Sequence, residues 1–135
     1  MRDKMRTKLI VAGILLAAAL PALAHHSLGA EYDVNKPLTL TGTVDKIEFF
    51  NPHIWIYLDV KDANGQTARW QCEGAPPNNL IRQGWTKTSL KQGDTIKILG
   101  FQAKDGASTC AARTVTLPDG KKVFTGSAGD GGPQQ

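Results

Sequence analysis

The chain has 135 residues, 41% hydrophobic and 21% charged, with a formal net charge of +4; this suffices for one small domain and excludes a multidomain assembly. Much of the positive charge lies in the first 24 residues, which hold Arg2, Lys4, Arg6 and Lys8 against Asp3 and leave 12 basic and 11 acidic residues beyond them. A nearly neutral remainder lacks the basic stripe of a nucleic-acid binder.

Residues 1–24 read as a signal peptide: a basic start, an apolar run from Leu9 to Leu20, and a small-residue cleavage signal at Pro21-Ala22-Leu23-Ala24. The apolar run, about 12 residues, is shorter than the ~20 a membrane span needs. The sequence therefore predicts an exported protein, periplasmic or secreted, with no membrane span once the signal is removed. Residues 25–37 form an N-terminal arm without clear period, ended by Asn35-Lys36-Pro37.

Strand patterns begin at Leu38. A long run, Leu38–Phe49, carries Gly42, which marks a bend or a close approach of another backbone. Asn51-Pro52 breaks it. His53–Val60 then alternates, with Ile54, Ile56, Leu58 and Val60 on one face and His53, Trp55, Tyr57 and Asp59 on the other. Asp62-Ala63-Asn64-Gly65 is a hairpin turn, and Thr67–Glu73 is a third strand with Trp70 and Cys72 inward. Pro76-Pro77 opens a short helix that Gly84 ends. Thr95–Phe101 and Thr109–Leu117 are strands four and five, and Pro118-Asp119-Gly120 turns into Lys121–Thr125. From Gly126 to Gln135 the composition is that of a disordered tail.

Three strands, a short helix and two more strands are the element order of a five-stranded OB-like Greek-key barrel, here occupying residues 38–125; an open α+β sheet is the alternative. Cys72 and Cys110 read first as a disulfide, with two buried free thiols as the other reading. A bridge meets a difficulty of parity. If Val115 and Leu117 point inward, Cys110 points outward unless a bulge near Ala111-Ala112 shifts the strand.

Cleavage after Ala24 makes His25 the first residue, followed by His26, and the chain's third histidine is His53. A freed α-amine beside imidazoles suits copper, nickel or zinc, and the ligand set resembles the N-terminal-histidine copper sites of secreted copper-binding proteins and oxidative polysaccharide-cleaving enzymes. Reach is demanding. A straight first strand of about 12 residues spans ~40 Å, whereas the arm covers at most ~43–47 Å. His25 returns to His53 only if the arm lies nearly straight or the strand bends. Glu31, Asp33 and Glu48 are oxygen donors that no spacing selects.

A second constellation is the outward face of strands two and three, where Trp55 and Tyr57 face Arg69, Gln71 and Glu73. In an OB-fold these strands form the usual ligand face, suited to a glycan, a peptide or a protein partner; cover by the N-terminal arm is the plainer reading. No G-x-S-x-G, H-E-x-x-H, P-loop or dinucleotide motif occurs, so no catalytic residue is assigned.

The run His25-His26-Ser27, with Glu31-Tyr32-Asp33, Asn35-Lys36-Pro37, Thr41-Gly42-Thr43-Val44, Asn51-Pro52-His53, Gly84-Trp85, Ser89-Leu90-Lys91, Gly93-Asp94 and Ala112-Arg113-Thr114-Val115-Thr116-Leu117-Pro118-Asp119-Gly120, resembles a family of small exported bacterial proteins catalogued as a domain of unknown function. The resemblance implies an exported single domain with no assigned activity; the His-His start and the Asn-Pro-His turn belong to its pattern, the cysteine pair does not. The expectation is an exported binding module holding copper or zinc through His25, His26 and His53, or alternatively a metal-free module for a glycan, peptide or protein.

Overall fold

The computed structural model describes residues 28–126. Residues 1–27, which include the expected signal peptide, His25 and His26, and residues 127–135 lie outside them. The elements are α1 (Leu28–Glu31), β1 (Tyr32–Glu48), β2 (Trp55–Lys61), β3 (Thr67–Glu73), α2 (Pro77–Arg82), β4 (Thr95–Ala103), β5 (Thr109–Thr116) and β6 (Lys122–Phe124). The all-β expectation with a short helix between the third and fourth strands holds. The sheet order is β3-β2-β1-β4-β5-β6, and β3 also pairs with β5. Every pairing is antiparallel except β3–β5, where Cys72 lies opposite Cys110 in parallel register. The pairings β1–β2–β3–β5–β4–β1 thus form a circuit, with β6 added as a short hairpin on β5.

Two departures from the expected arm matter for function. A short helix, Leu28–Glu31, occupies part of it, and β1 begins at Tyr32 rather than Leu38. The last six residues of the arm are therefore part of the first strand: Tyr32 lies opposite Ala103 and Pro37 opposite Phe101, with a register irregularity between them. At 17 residues, β1 would span roughly 55 Å if straight. It does not run straight. Its first part pairs with β4 as far as Thr43, its last part with β2 from Gly42 onward, and the switch of partner falls on Gly42–Thr43. Gly42 is required there, because a Cβ would stand 2.6 Å from the Asp59 carbonyl oxygen. This is the close approach its place in the strand predicts.

Alternation carries the core. Ile54, Ile56 and Leu58 are fully buried, as are Ile98, Val115, Cys72 and Cys110, with Val44 and Ile96 nearly so. Parity changes twice through bulges. Val44 faces Leu58 and Lys46 faces Tyr57, so Asp45 is an extra residue that turns its carboxylate outward. Leu99 faces Thr114 and Gly100 faces Ala112, so Arg113 is extra in β5. The second bulge lets both Cys110 and Val115 point inward, one residue beyond the expected Ala111-Ala112. Its carbonyl is satisfied by the Thr125 N–H (2.9 Å), and its guanidinium lies over the rings of Phe101 and Phe124 (5.4 and 5.7 Å).

Helix α2 starts with Pro77 in its first turn. It ends in a Schellman arrangement, in which Trp85 N–H donates to Leu80 O (2.9 Å) and Gly84 N–H to Ile81 O (3.0 Å), with Gly84 at φ +89°. Leu80 and Trp85 are both buried against the core. Trp70 is half-buried at the core margin rather than inside it. At the other end of the chain, Ala75 N–H donates to Thr125 O (2.6 Å) and Gly126 is buried. The folded body therefore extends through Gly126, where the tail was expected to begin.

Candidate functional site

The Asn51–Pro52 peptide, which is cis, leads β1 into His53. The β2–β3 ladder continues past its last paired residues. Gly74 N–H donates to Ile54 O (2.9 Å), and Ile54 N–H to Ala75 O (3.3 Å). A Cβ on Gly74 would lie 2.8 Å from Ile54 Cγ1, so the glycine lets the two segments close on each other. That pairing sets His53 beside Glu73, and His53 Nδ1 is paired with Glu73 Oε1. The second carboxylate oxygen, Oε2, accepts the Tyr32 hydroxyl at 2.6 Å.

Tyr32, Glu73 and His53 thus form one continuous chain of side chains. Tyr32 is 4% exposed, the Glu73 side chain 18% and the His53 side chain 41%. The network also reports the course of β1. Glu73 lies opposite Trp55, and Trp55 lies opposite Glu48. The first residue of β1 therefore touches a side chain only two strands from its last. The bend that the reach argument demanded is present, and the arm at Tyr32 stands at the His53 end of the sheet.

Burial, followed by the hydrogen bond to Glu73, raises the Tyr32 pKa well above the ordinary tyrosine range. The phenol thus remains neutral in the folded protein while it ionises near its ordinary value of about 10 once unfolded. The unfolded chain loses the proton first. Stability contributed by Tyr32 is complete below that value and falls as pH rises above it. Chemical unfolding between pH 9 and 11 is expected to show this decline, and Tyr32→Phe is expected to make it shallower.

The expected ligand face is present as a surface, and its polar groups are paired with one another. Trp55 and Tyr57 are half-buried, opposite Glu73 and Gln71. Lys46 Nζ lies over the Tyr57 ring at 4.5 Å and donates to Glu48 Oε1 (2.7 Å), while the Tyr57 hydroxyl donates to Glu48 Oε2 (3.1 Å). The Lys46 hydrogen bond is the leading cause that lowers the Glu48 pKa, and Glu48 in turn raises that of Lys46. Arg69 donates to Asp59 through Nε (2.6 Å) and Nη2 (3.3 Å), and to Asp45, the bulge residue, through Nη1 (2.8 Å). Gln71 Nε2 donates to Thr109 Oγ1 (3.1 Å). Arg69, expected to read a ligand, is held by two carboxylates. Tyr57 has one ring face under an ammonium. Among the described residues of the arm, Tyr32 docks at Glu73.

Cys72 and Cys110 are joined in a disulfide with a Cα–Cα distance of 4.5 Å, placed at the parallel β3–β5 pairing next to Glu73. Of the three histidines, only His53 belongs to the described residues, and among those residues no group of three or more His, Cys, Asp and Glu is arranged to hold a metal. The His53 side chain is partly exposed, and its Nε2 has no hydrogen bond to a described residue. Of the other oxygen donors considered, Asp33 accepts the Asn35 N–H (3.0 Å) in a local turn and Glu48 is engaged as above.

Sequence reasoning missed Tyr32, whose partner is 41 residues away. No periodicity links such positions, and the only available signal was the excess of polar and aromatic residues in Glu31-Tyr32-Asp33. It also missed Asp45 and Asp59 as the partners of Arg69, because Asp45 reaches the face only through the bulge.

Among the described residues no helix is long and apolar enough to cross a membrane. No curated protein and no solved structure matches the chain. A family of unknown function, DUF6152, matches residues 12–112, and the chain belongs to that family.

Proposed function

We propose that this protein is an exported binding module, an OB-like barrel built on the β1–β2–β3–β5–β4 circuit, that holds copper or zinc at its mature N-terminus. Cleavage after Ala24 frees the α-amine of His25. That amine, the His25 imidazole and His53 Nε2 would supply three nitrogens, with His26 as a further donor, and such a set suits copper or zinc. The observation that carries this reading is the Tyr32–Glu73–His53 chain. It ties the arm to the histidine that the site needs. From Tyr32 back to His25 is seven residues; with Leu28–Glu31 helical the segment spans at most about 16–17 Å, so the reach no longer depends on a straight first strand once the arm is anchored at Glu73. The internal pairing of Arg69, Tyr57 and Gln71 favours this site over a ligand face on β2 and β3.

Copper(II) titration of correctly processed protein, followed by EPR, tests the reading. N-terminal sequencing of the exported protein is expected to begin at His25. A variant carrying one extra residue before His25 is expected to bind clearly more weakly, because the α-amine is displaced from the imidazole it chelates with, and His53→Ala likewise. Equal affinity in all three proteins overturns the proposal.

A further inference from the structure

We infer that Glu73 is the positioning residue of His53: its carboxylate holds the neutral imidazole as the Nδ1–H tautomer and so leaves Nε2 as the nitrogen donor, while the Tyr32 hydroxyl holds the carboxylate. The assignment rests on the metal-binding reading for its purpose, but its geometry stands without it. Glu73 Oε1 lies against His53 Nδ1, and an ionised carboxylate only accepts hydrogen bonds, so a proton shared between the two belongs to the ring nitrogen. In a neutral imidazole the other nitrogen is then the lone-pair donor.

Several features keep the carboxylate from turning away. Its second oxygen is occupied by Tyr32, a buried phenol that burial and Glu73 itself keep protonated. Its backbone is held on both sides, opposite Trp55 in β2 and opposite Ala111 in β5. The disulfide one residue earlier, at Cys72, pins the same stretch. His53 in turn cannot slide along Glu73, because Ile54 is hydrogen-bonded to Gly74 and Ala75. The result is a carboxylate–imidazole pair in which the donor nitrogen is chosen before any ligand arrives. Carboxylates that pair with the far nitrogen of a metal-ligating histidine orient the ring and raise its basicity, and their loss commonly weakens metal affinity by about 10–100-fold. The arrangement also couples the arm to the ligand. Tyr32 is the first residue of β1, so the hydroxyl that fixes Glu73 belongs to the segment that leads back to His25.

Two measurements on the full exported protein separate this assignment from the metal reading. Long-range proton–nitrogen NMR on the metal-free protein, at a pH where the ring is neutral, is expected to show His53 with a protonated Nδ1 and a bare Nε2. Glu73→Gln is expected to reduce that preference, and Tyr32→Phe to reduce it less. A bare Nδ1 in the wild-type protein overturns the assignment, and this reading needs no variant to fold. Titration with zinc(II) ions alone is then expected to give about 10–100-fold weaker binding for Glu73→Gln than for the wild type. If the tautomer is as stated and neither protein binds zinc or copper, the metal reading fails while the role of Glu73 on the ring stands. If Glu73→Gln leaves the tautomer unchanged, the positioning role is overturned whatever the affinity.

Discussion

Removing the Cys72–Cys110 bridge, by reduction or by the double substitution Cys72→Ala with Cys110→Ala, is expected to lower stability by about 3–4 kcal/mol. The bridge closes a segment with a sequence separation of 38, and on the chain-entropy account closing a loop of that length raises the free energy of the unfolded ensemble by roughly this much, through lost entropy. For a domain whose whole stability is on the order of 5–15 kcal/mol, the loss is a large share. It falls at an important place. β3 and β5 are joined by a short parallel pairing, Gln71–Glu73 against Thr109–Ala111, and this pairing closes the circuit of strands. Urea unfolding with and without reductant checks the magnitude. A loss under about 1 kcal/mol would mean that the β3–β5 pairing holds without covalent help. The same substitutions are expected to loosen Glu73, one residue from Cys72, and therefore to reach the His53 ring.

Gly100→Ala is the second large effect, with an expected loss of about 3 kcal/mol from forced overpacking. A Cβ at this position would stand 2.2 Å from the carbonyl oxygen of Ala111 and 3.3 Å from Ala112 Cα. These are backbone atoms of the neighbouring strand and no rotamer change relieves them. The strands must separate where the Arg113 bulge begins, and Cys110 moves with them. Besides the lower unfolding midpoint, the variant is therefore expected to show a larger fraction of free thiol. Gly29→Ala is the matched control. A Cβ there meets nothing within 4 Å, and in a helical turn alanine is favoured over glycine by up to about 1 kcal/mol. Equal stability of the two variants would overturn the steric account of Gly100.

These two predictions show where sequence reasoning reached and where it stopped. The alternation of Ile54, Ile56 and Leu58 against His53, Trp55 and Tyr57 was legible, because a strand with one buried face must repeat every two residues. Gly42 and Gly84 were legible as positions where no side chain fits or where the backbone turns. The cysteine pair was legible only as an ambiguity. Counting parity along β5 placed Cys110 and Val115 on opposite faces, and a bulge at Arg113 changed the count. Bulges are set by what the partner strand can accept, and here the partner offers Gly100. The reach of the arm was ambiguous for a related reason. Chain length bounds a distance, but the path of β1 depends on its switch of partner from β4 to β2 at Gly42–Thr43.

By itself the sequence determined most of the strand segments, though not the start of β1 at Tyr32, as well as the short helix with its proline start and glycine stop and the inward residues of β2. All of these follow from local periodicity, turn chemistry and residue type. Only the tertiary structure decided that Cys72 and Cys110 meet, that Arg69 is consumed by Asp45 and Asp59, and that Tyr32 reaches Glu73 beside His53. Each of these joins residues far apart in the chain, through two bulges and one strand that changes partner. Such contacts follow from how the strands close on one another, and a local pattern carries no record of that closure.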